Sequence, residues 1–244
     1  MGPEGRPLME VVAWFTDPAN WSGTSGIPNR ILEHLVLSGL AIGIGCLIAV
    51  PLGLFIGHTG RGAGAVVALG NLGRAVPSYA MLVIFVPLLG IGFWNALAAL
   101  VLLSIPPILT NSYAGLQGVD RDMVEAGRGM GMRERQILGR VEVPIALPVI
   151  IAGVRIAAVQ VVATATLAAL VGGGALGRFI VDGFALRDTA MLVGGAVMVA
   201  ILAVLTGRVM TIVERRAVSP GLRATPAARM ARLDEPPQPR GATP

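Results

Sequence analysis

Side chains capable of catalysis are scarce in this chain. It has one cysteine, Cys46, two histidines, His34 and His58, and no lysine, so all 19 Lys and Arg positions are Arg. Without lysine the chain cannot form the Gly-x-x-x-x-Gly-Lys run that holds nucleotide phosphates in P-loop ATPases. A single thiol excludes an internal disulfide, and no Cys or His cluster indicates a metal site. We therefore predict no catalytic residue, no metal site and no cofactor on this chain.

Two short stretches match enzyme motifs, but the sequence around each lacks the features that the enzyme motif requires. Gly172–Gly177 fits the Gly-x-Gly-x-x-Gly pattern, but no soluble strand precedes it and no acidic residue follows at the required distance. Gly23–Gly26 fits the serine motif of intramembrane proteases, but Ser25 precedes the first apolar run instead of lying within one. We interpret the first match as a structural turn and exclude the protease interpretation of the second.

Charge is concentrated in one stretch, Asp120–Pro144, which has five Arg and five acidic residues between long apolar runs. Asp120 occupies the position of a helix N-cap, and Asp122 complements the helix dipole in the first turn. Small or adaptable residues then recur at helical spacing at Met123, Ala126, Gly127 and Met130. Such a face suits a groove on a partner protein, because methionine adapts its shape and glycine permits close backbone approach.

The same stretch contains signals for a helix end and for a second helix. Gly131 is expected to end the first helix in a left-handed conformation. A second helix is predicted from Arg133 to Glu142, ending because Pro144 cannot continue it. The polar stretch is therefore predicted to be a helix–turn–helix loop.

The elements that position this loop are apolar and long. Hydrophobic residues make up 54% of the chain and charged residues 14%. About 20 residues of helix cross the ~30 Å hydrocarbon core of a bilayer. Five runs satisfy that length: Ile31–Gly57, Ala65–Leu89, Phe93–Ser112, Ile145–Val171 and Ala190–Val213. We predict an all-α integral membrane protein with five transmembrane helices, and a first span that is retained because no cleavage pattern precedes it.

Three regions follow from this pattern. Residues 1–30 form an external leader, in which Val11, Val12 and Phe15 share one helical face; an interfacial helix and an irregular leader both remain open. Residues 31–213 form the transmembrane domain, including the polar loop at 113–144. Residues 214–244 form a disordered tail rich in Pro, Ala and Arg. Because Arg-rich segments stay in the cytoplasm, the loop and the C-terminus lie inside and the N-terminus lies outside.

The spacing of the polar stretch resembles the cytoplasmic coupling loop of the membrane subunits of bacterial ABC importers. That pattern is Glu-Ala-Ala, three residues, Gly, nine residues and Ile-x-Leu-Pro. Glu125, Ala126, Gly131 and Pro144 fall at their places. The departures are Gly127 for the second Ala, and Val141 and Val143 for Ile and Leu. The residues expected to serve ATPase coupling are Asp120, Met123, Glu125, Ala126, Gly127, Met130, Gly131 and Pro144.

Other stretches narrow the resemblance to osmoprotectant permeases. Asn71–Ala80 is similar to the segment that opens the second span in that family, and Pro87–Gly92 is similar to the turn that follows. Pro107–Gly115 and Ala152–Gly172 are similar as well. The resemblance implies uptake of glycine betaine, carnitine, choline or proline betaine. Methionine permeases share the five-span plan and the loop, and are the alternative.

The resemblance also implies partners and a location. The chain would follow the type I importer plan in a bacterial cytoplasmic membrane, as half of a homodimeric or heterodimeric pore. Two ABC ATPases would dock on the coupling loops and hold ATP and magnesium, while an external binding protein delivers the solute. Nucleic acid has no part in this scheme. Glu125 would fix the loop near the ATPase contact through hydrogen bonds or an Arg pair, or else would be an exposed acid paired with Arg128.

Polar groups within the spans are candidates for the solute path. They are Asn71, Tyr79, Asn111, Arg155, Gln160 and Thr164. Each is also suited to a helix–helix hydrogen bond. Arg155 is expected either to meet the carboxylate of a zwitterion or to pair with carbonyls or with a loop acid such as Glu142, and the second interpretation is preferred because a charge within a span needs a partner.

Overall fold

The computed structural model describes residues 6–217, and every regular element in that range is helical. The α-helices are α1 (Arg6–Thr16), α2 (Ile27–Thr59), α3 (Ala63–Ala75), α4 (Ser78–Ile84), α5 (Val86–Leu89), α6 (Phe93–Gln117), α7 (Arg121–Gly129), α8 (Glu134–Ile137), α9 (Val143–Thr164), α10 (Gly177–Leu186) and α11 (Thr189–Ala217). Short 3-10 helices occupy Pro18–Trp21 and Ala165–Val171, and a π-helical turn occupies Leu138–Glu142. The prediction of an all-α chain is confirmed.

Four helical runs among the described residues are long and apolar enough to cross a membrane. They are α2, α6, the run Glu134–Val171 that contains α9, and α11. A fifth span is present if α3 is taken together with α4 and α5, which are bent by 97° from it. The predicted continuous run Ala65–Leu89 is therefore broken. The break lies at Pro77, whose ring disfavours a helical conformation at Val76; Val76 is extended, with φ −80° and ψ 122°.

Helices α2 and α6 lie side by side and run in the same direction. Gly45 contacts Ser104, Gly53 contacts Ser112 and Gly57 contacts Leu116, so sequence position rises together on both helices. A methyl group at Gly53 would lie 2.6 Å from Ser112 Cβ, which leaves no room for a side chain. Small residues at this crossing let the two backbones approach closely, as is common between membrane helices.

Helix α9 packs on α6 around a second close approach and also contacts α2, where His34 Nε2 lies 2.8 Å from the carbonyl oxygen of Val162. A side chain at Gly153 would meet the Asn111 side chain and would lie 3.0 Å from the carbonyl oxygen of Pro107. Helix α11 then packs on α9 and α10. The spans thus form one bundle in which α2, α6 and α9 all contact one another.

The N-terminal segment forms a helix that packs on protein. Trp14 of α1 is 9% exposed, and its ring lies 2.6 Å from the point that a Cβ of Gly194 would occupy. It also meets Phe179 edge-on, with ring centroids 5.3 Å apart. Val12 is 61% exposed. Helix α11 thus covers Trp14, whereas Val12 of the predicted face is turned outward, and the interfacial placement of that face stays a prediction.

Two predicted boundaries shift. The first span begins at Ile27 instead of residue 31, because Pro28 is accommodated in the first helical turn. Helix α11 continues to Ala217, so residues 214–217 are helical and do not belong to a disordered tail. Arg215 and Arg216 favour this extension by complementing the C-terminal dipole. The predicted disorder of residues 218–244 lies outside the described residues.

Candidate functional site

Helix α7 begins at an N-cap supplied by its own sequence. The Asp120 side chain accepts a hydrogen bond from the backbone N–H of Asp122 at 3.0 Å. Asp122 lies in the first turn, where its charge complements the helix dipole. The structure thus places both residues as predicted. The loop itself begins later than residue 113, because α6 continues to Gln117.

Helix α7 ends in a Schellman motif. Gly131 has a φ of 78°, a left-handed conformation that glycine adopts without steric cost. The N–H of Gly131 donates to the carbonyl of Arg128 at 2.9 Å, and the N–H of Met132 donates to the carbonyl of Gly127 at 3.1 Å. This pair of bonds satisfies carbonyls that the helix end leaves free. The left-handed turn predicted at Gly131 is present.

The two sides of α7 differ in exposure. Met123 is 50% exposed and Met130 is 76% exposed, and Ala126 lies open between them. Gly127 is buried instead, facing Ile137 of α8 and the sulfur of Met132. The predicted face is therefore reduced to Met123, Ala126 and Met130. Gly127 departs from it because α8 folds back over that edge of the helix.

The pair between Glu125 and Arg128, one of the two alternatives for this acid, does not form. The Arg128 Nε lies 2.9 Å from Glu134 Oε1, and its Nη2 lies 3.2 Å from Glu134 Oε2. This hydrogen-bonded pair raises the pKa of the Arg128 guanidinium, with the charge of Glu134 adding to the effect. Glu125 is exposed and forms no ion pair with any residue in the range 6–217. Its carboxylate is therefore open to another protein.

A histidine at the inner end of α2 connects to this loop. The His58 Nδ1 lies 2.6 Å from Glu142 Oε2, and its Nε2 lies 3.3 Å from Glu134 Oε2. Glu142 is 7% exposed, and a carboxylate this buried is destabilising unless it has a hydrogen-bond partner, which His58 provides here. No local signal in the sequence indicates this group, because 84 residues separate His58 from Glu142.

Pro144 does not end the second helix of the loop. The helical run continues from Glu134 through Val171, and Pro144 lies in the first turn of α9. The π-helical turn Leu138–Glu142 precedes it, with the N–H of Val143 bonded to the carbonyl of Leu138. A wider turn of this kind accommodates a residue that cannot donate a hydrogen bond. The predicted stop is wrong, and the loop leads into α9 without a break.

Two open cavities adjoin at the surface of the bundle. The first has a volume of about 440 Å³ and is lined by Gly70, Gly73, Val76, Ser78, Pro106, Pro107, Thr110, Asn111, Ile156 and Gln160. The second has a volume of about 550 Å³ and is lined by Arg155, Ile156, Val159, Gln160, Gly207 and Thr211. Ile156 and Gln160 of α9 line both cavities, so these two side chains form the wall between them. Asn111, Arg155 and Gln160 are thus brought together as candidates, whereas Asn71, Tyr79 and Thr164 line neither cavity.

Arg155 forms an ion pair, but with a residue that was not predicted. Its Nη1 lies 3.1 Å from Glu214 Oε2 and 3.5 Å from the hydroxyl of Thr211. Glu142, the loop acid expected as its partner, pairs with His58 instead. The acid near the end of α11 is reached because α9 and α11 pack side by side. This pair lies at the edge of the second cavity.

Known proteins similar to this chain in sequence are membrane components of transport systems. Residues 49–219 match the family described as binding-protein-dependent transport system inner membrane component. The glycine betaine/carnitine/choline transport system permease protein OpuCB of Bacillus subtilis is 41% identical over 190 residues, covering 78% of this chain and 88% of the relative. The osmoprotectant import permease protein OsmW of Salmonella typhimurium is 35% identical, covering 80% of this chain and 91% of the relative.

Solved structures resemble the fold at lower identity. An inward-facing form of the MetNI methionine ABC transporter superposes with a TM-score of 0.71 at 22% identity, covering 84% of this chain and all of the matched chain. An amino acid ABC transporter with histidines superposes with a TM-score of 0.63 at 18% identity, covering 88% of this chain and all of the matched chain. At these identities the likeness concerns the fold, which is that of ABC importer permeases.

Proposed function

The chain belongs to the family of binding-protein-dependent transport system inner membrane components, and we propose that it is the permease subunit of an ABC importer for quaternary-amine osmoprotectants. The solutes in view are glycine betaine, choline, carnitine and proline betaine. The observation that carries this proposal is 41% identity over 190 residues to a permease named for three of these solutes.

The cavities support a small, polar and zwitterionic solute. The first is lined by neutral polar groups, including the side chains of Thr110, Asn111 and Gln160. The second places the charged pair of Arg155 and Glu214 beside the same wall. A carboxylate on the solute can take the place of Glu214 at Arg155, while neutral oxygens face its methyl groups. We infer that Asn111, Gln160 and Arg155 line the path.

The composition favours passage of the solute over tight binding. Proteins that hold quaternary ammonium groups tightly surround them with aromatic rings. Aromatic residues make up only 5% of this chain. A separate external binding protein would therefore capture the solute and deliver it to the permease.

The coupling segment supports a partner that supplies the energy. Met123, Ala126 and Met130 form an exposed surface on α7, with Glu125 beside it. We infer that two ABC ATPases dock on this surface, one on each of two permease subunits, and that ATP and magnesium belong to those partners. The Arg-rich loop would lie in the cytoplasm, with the N-terminus outside and the C-terminus inside.

Uptake in cells tests this function. Labelled glycine betaine, choline, carnitine and methionine are given to cells with and without this chain, at low and high osmolarity. Uptake of a quaternary amine is expected to fall on deletion and to return on complementation, while uptake of an unrelated sugar stays constant. Loss of methionine uptake alone would retain the permease assignment and overturn the substrate.

A further inference from the structure

A chain of four ionisable side chains connects the coupling helix, α7, to the first span. It runs from Arg128 on α7 to Glu134 on α8, then to His58 at the end of α2, and back to Glu142 before α9. Successive polar atoms lie 2.9 Å apart between Arg128 and Glu134, 3.3 Å between Glu134 and His58, and 2.6 Å between His58 and Glu142. Three separate elements are therefore joined through one imidazole ring.

The His58 ring is the centre of this chain. Its side chain is 15% exposed, and its two nitrogens face two different carboxylates. A neutral imidazole donates one hydrogen bond, whereas the protonated ring donates two and can serve both acids. The ring also lies in the last turn of α2, where a positive charge complements the helix dipole. The two ring nitrogens thus place His58 as a bridge between Glu134 and Glu142.

Removing the ring would leave an unfavourable arrangement. Glu142 is 7% exposed, and among residues 6–217 its ion-pair partner is His58. Without that partner a nearly buried carboxylate would stand unpaired near a second acid, which is strongly destabilising. The apolar cluster around Leu116, Val119 and Ala146, with Val124 of α7 packed against it, would still hold the loop in place. The expected result is a loop that stays folded but is no longer held firmly against α2.

We propose that His58 is a positioning residue for energy coupling, which ties α7 to the inner end of α2 through Glu134 and Glu142. A displacement of α7 then reaches the bundle along two routes. One is covalent, through the π-helical turn into α9; the other is a polar link, through His58 into α2. Because α2 and α6 are closely packed along their length, the second route reaches both helices without passing along α9. This inference rests on the proposed function.

The coupling ratio tests the proposal. The permease is reconstituted in liposomes with its ATPase and binding protein, and the ATP hydrolysed per glycine betaine imported is measured. His58→Gln is expected to raise that ratio at least about fivefold, the lower end of typical coupling between sites. Arg178→Gln, which removes the Arg178–Asp182 pair in α10 away from the loop, is the matched control and should leave the ratio unchanged. An unchanged ratio in His58→Gln would overturn the proposal.

A conservative variant separates charge from shape. His58→Arg supplies a permanent cation with N–H donors for both acids while changing the shape of the side chain, whereas glutamine supplies polarity without charge. The ratio in His58→Arg should therefore return to within about twofold of the wild-type value, well below the fivefold rise expected for glutamine. If arginine uncouples more strongly than glutamine, His58 acts by packing alone and the ionic link is wrong.

A distance measurement tests the same link without the partners. Spin labels are placed at Ala126 on α7 and at Arg61 after α2, both exposed, in a Cys46→Ala background of the purified permease. His58→Gln and Glu142→Gln should each broaden the distance distribution, and Arg178→Gln should not. An unaltered distribution in both variants contradicts the proposal. This readout holds whichever solute is carried, so failure of the uptake assignment is distinguishable from failure of the link.

Discussion

Gly127 lies on the buried side of α7 and has room for a small side chain. A methyl group there would lie 3.5 Å from Ile137 and 3.6 Å from the sulfur of Met132, both ordinary contact distances. Glycine costs about 1 kcal/mol of helix propensity relative to alanine. Gly127→Ala is therefore expected to raise the free energy of unfolding by about 1 kcal/mol, with uptake retained. Thermal unfolding of the purified protein measures the change.

Gly131 provides the control for that prediction. It lies in the same loop, but its φ of 78° is one that alanine adopts at a cost of about 1–2 kcal/mol. Gly131→Ala should lower the unfolding temperature where Gly127→Ala raises it. Two variants that shift the temperature in the same direction would contradict the Schellman assignment.

Glu125 and Asp122 are the acids of α7, and neither forms an ion pair within residues 6–217. Because the Glu125 carboxylate is exposed, Glu125→Lys should leave folding and membrane insertion unchanged. Uptake is expected to fall strongly if this side faces an ATPase. Transport assays and quantitative membrane blots of the same cells give both readouts, with Glu10→Lys in α1, also exposed, as the charge-matched control. Normal uptake in Glu125→Lys would show that the carboxylate takes no part in coupling.

Local signals predicted individual residues where neighbours in sequence decide the outcome. The Asp120 cap and the Gly131 turn each depend on atoms within a few residues, and both were predictable. The partner of Arg128 was not, because Glu134 reaches it only after the loop has folded back. His58 lies further still from its partners along the chain. Ion pairs of this kind depend on tertiary structure, which spacing does not encode.

At the scale of elements, one ion pair connects two neighbouring spans. Arg155 of α9 and Glu214 of α11 have side chains 37% and 28% exposed, which weakens the pair through solvent screening. A double-mutant cycle with Arg155→Gln and Glu214→Gln is expected to give a coupling energy of at most about 1 kcal/mol. Unfolding temperatures of the single and double variants provide it.

Transport by the same variants separates structure from function. If Arg155 meets the solute carboxylate, Arg155→Gln should impair uptake of glycine betaine more than that of choline, which has no carboxylate. Glu214→Gln, which removes the same pair from the other side, serves as the control. Equal losses for both solutes in Arg155→Gln would assign the residue to helix packing alone.

The apolar runs made the spans predictable, and prolines made their breaks uncertain. Each of the five predicted runs corresponds to helices in the structure. Pro77 breaks its run, because the backbone before it becomes extended. Pro144 does not, because a π-helical turn accommodates the missing donor. The residue type is the same in both, so its effect depends on hydrogen bonds that the sequence pattern alone does not reveal.

At the scale of the whole molecule, the cavities were the least predictable feature. The first cavity brings together residues of α3, α4, α6 and α9, which lie far apart in sequence. Of the predicted path residues, Asn111, Arg155 and Gln160 line the two cavities, and the other three do not. Polarity within a span identified candidates, but only the packing of the bundle determines which face each candidate occupies.

Orientation is a whole-molecule prediction. A cysteine at Ser22, before the first span, should react with an impermeant maleimide in intact cells, and one at Arg61 should react only after permeabilisation. Both positions are exposed, and a Cys46→Ala background removes the native thiol. The reverse pattern would invert the assigned orientation and move the coupling loop outside, away from any ATP.

The unbroken helical run from Glu134 to Val171 can tilt about a point near its middle. Gly153, where the run closely approaches α6, lies midway along it and would act as the pivot. At 1.5 Å per residue, a tilt of about 5° about that point would carry each end about 2.5 Å, in opposite directions. Spin-label distances from α6 to the two ends should then change with opposite sign. A single tilt of this helical run would then open the solute path towards one side of the membrane and close it towards the other.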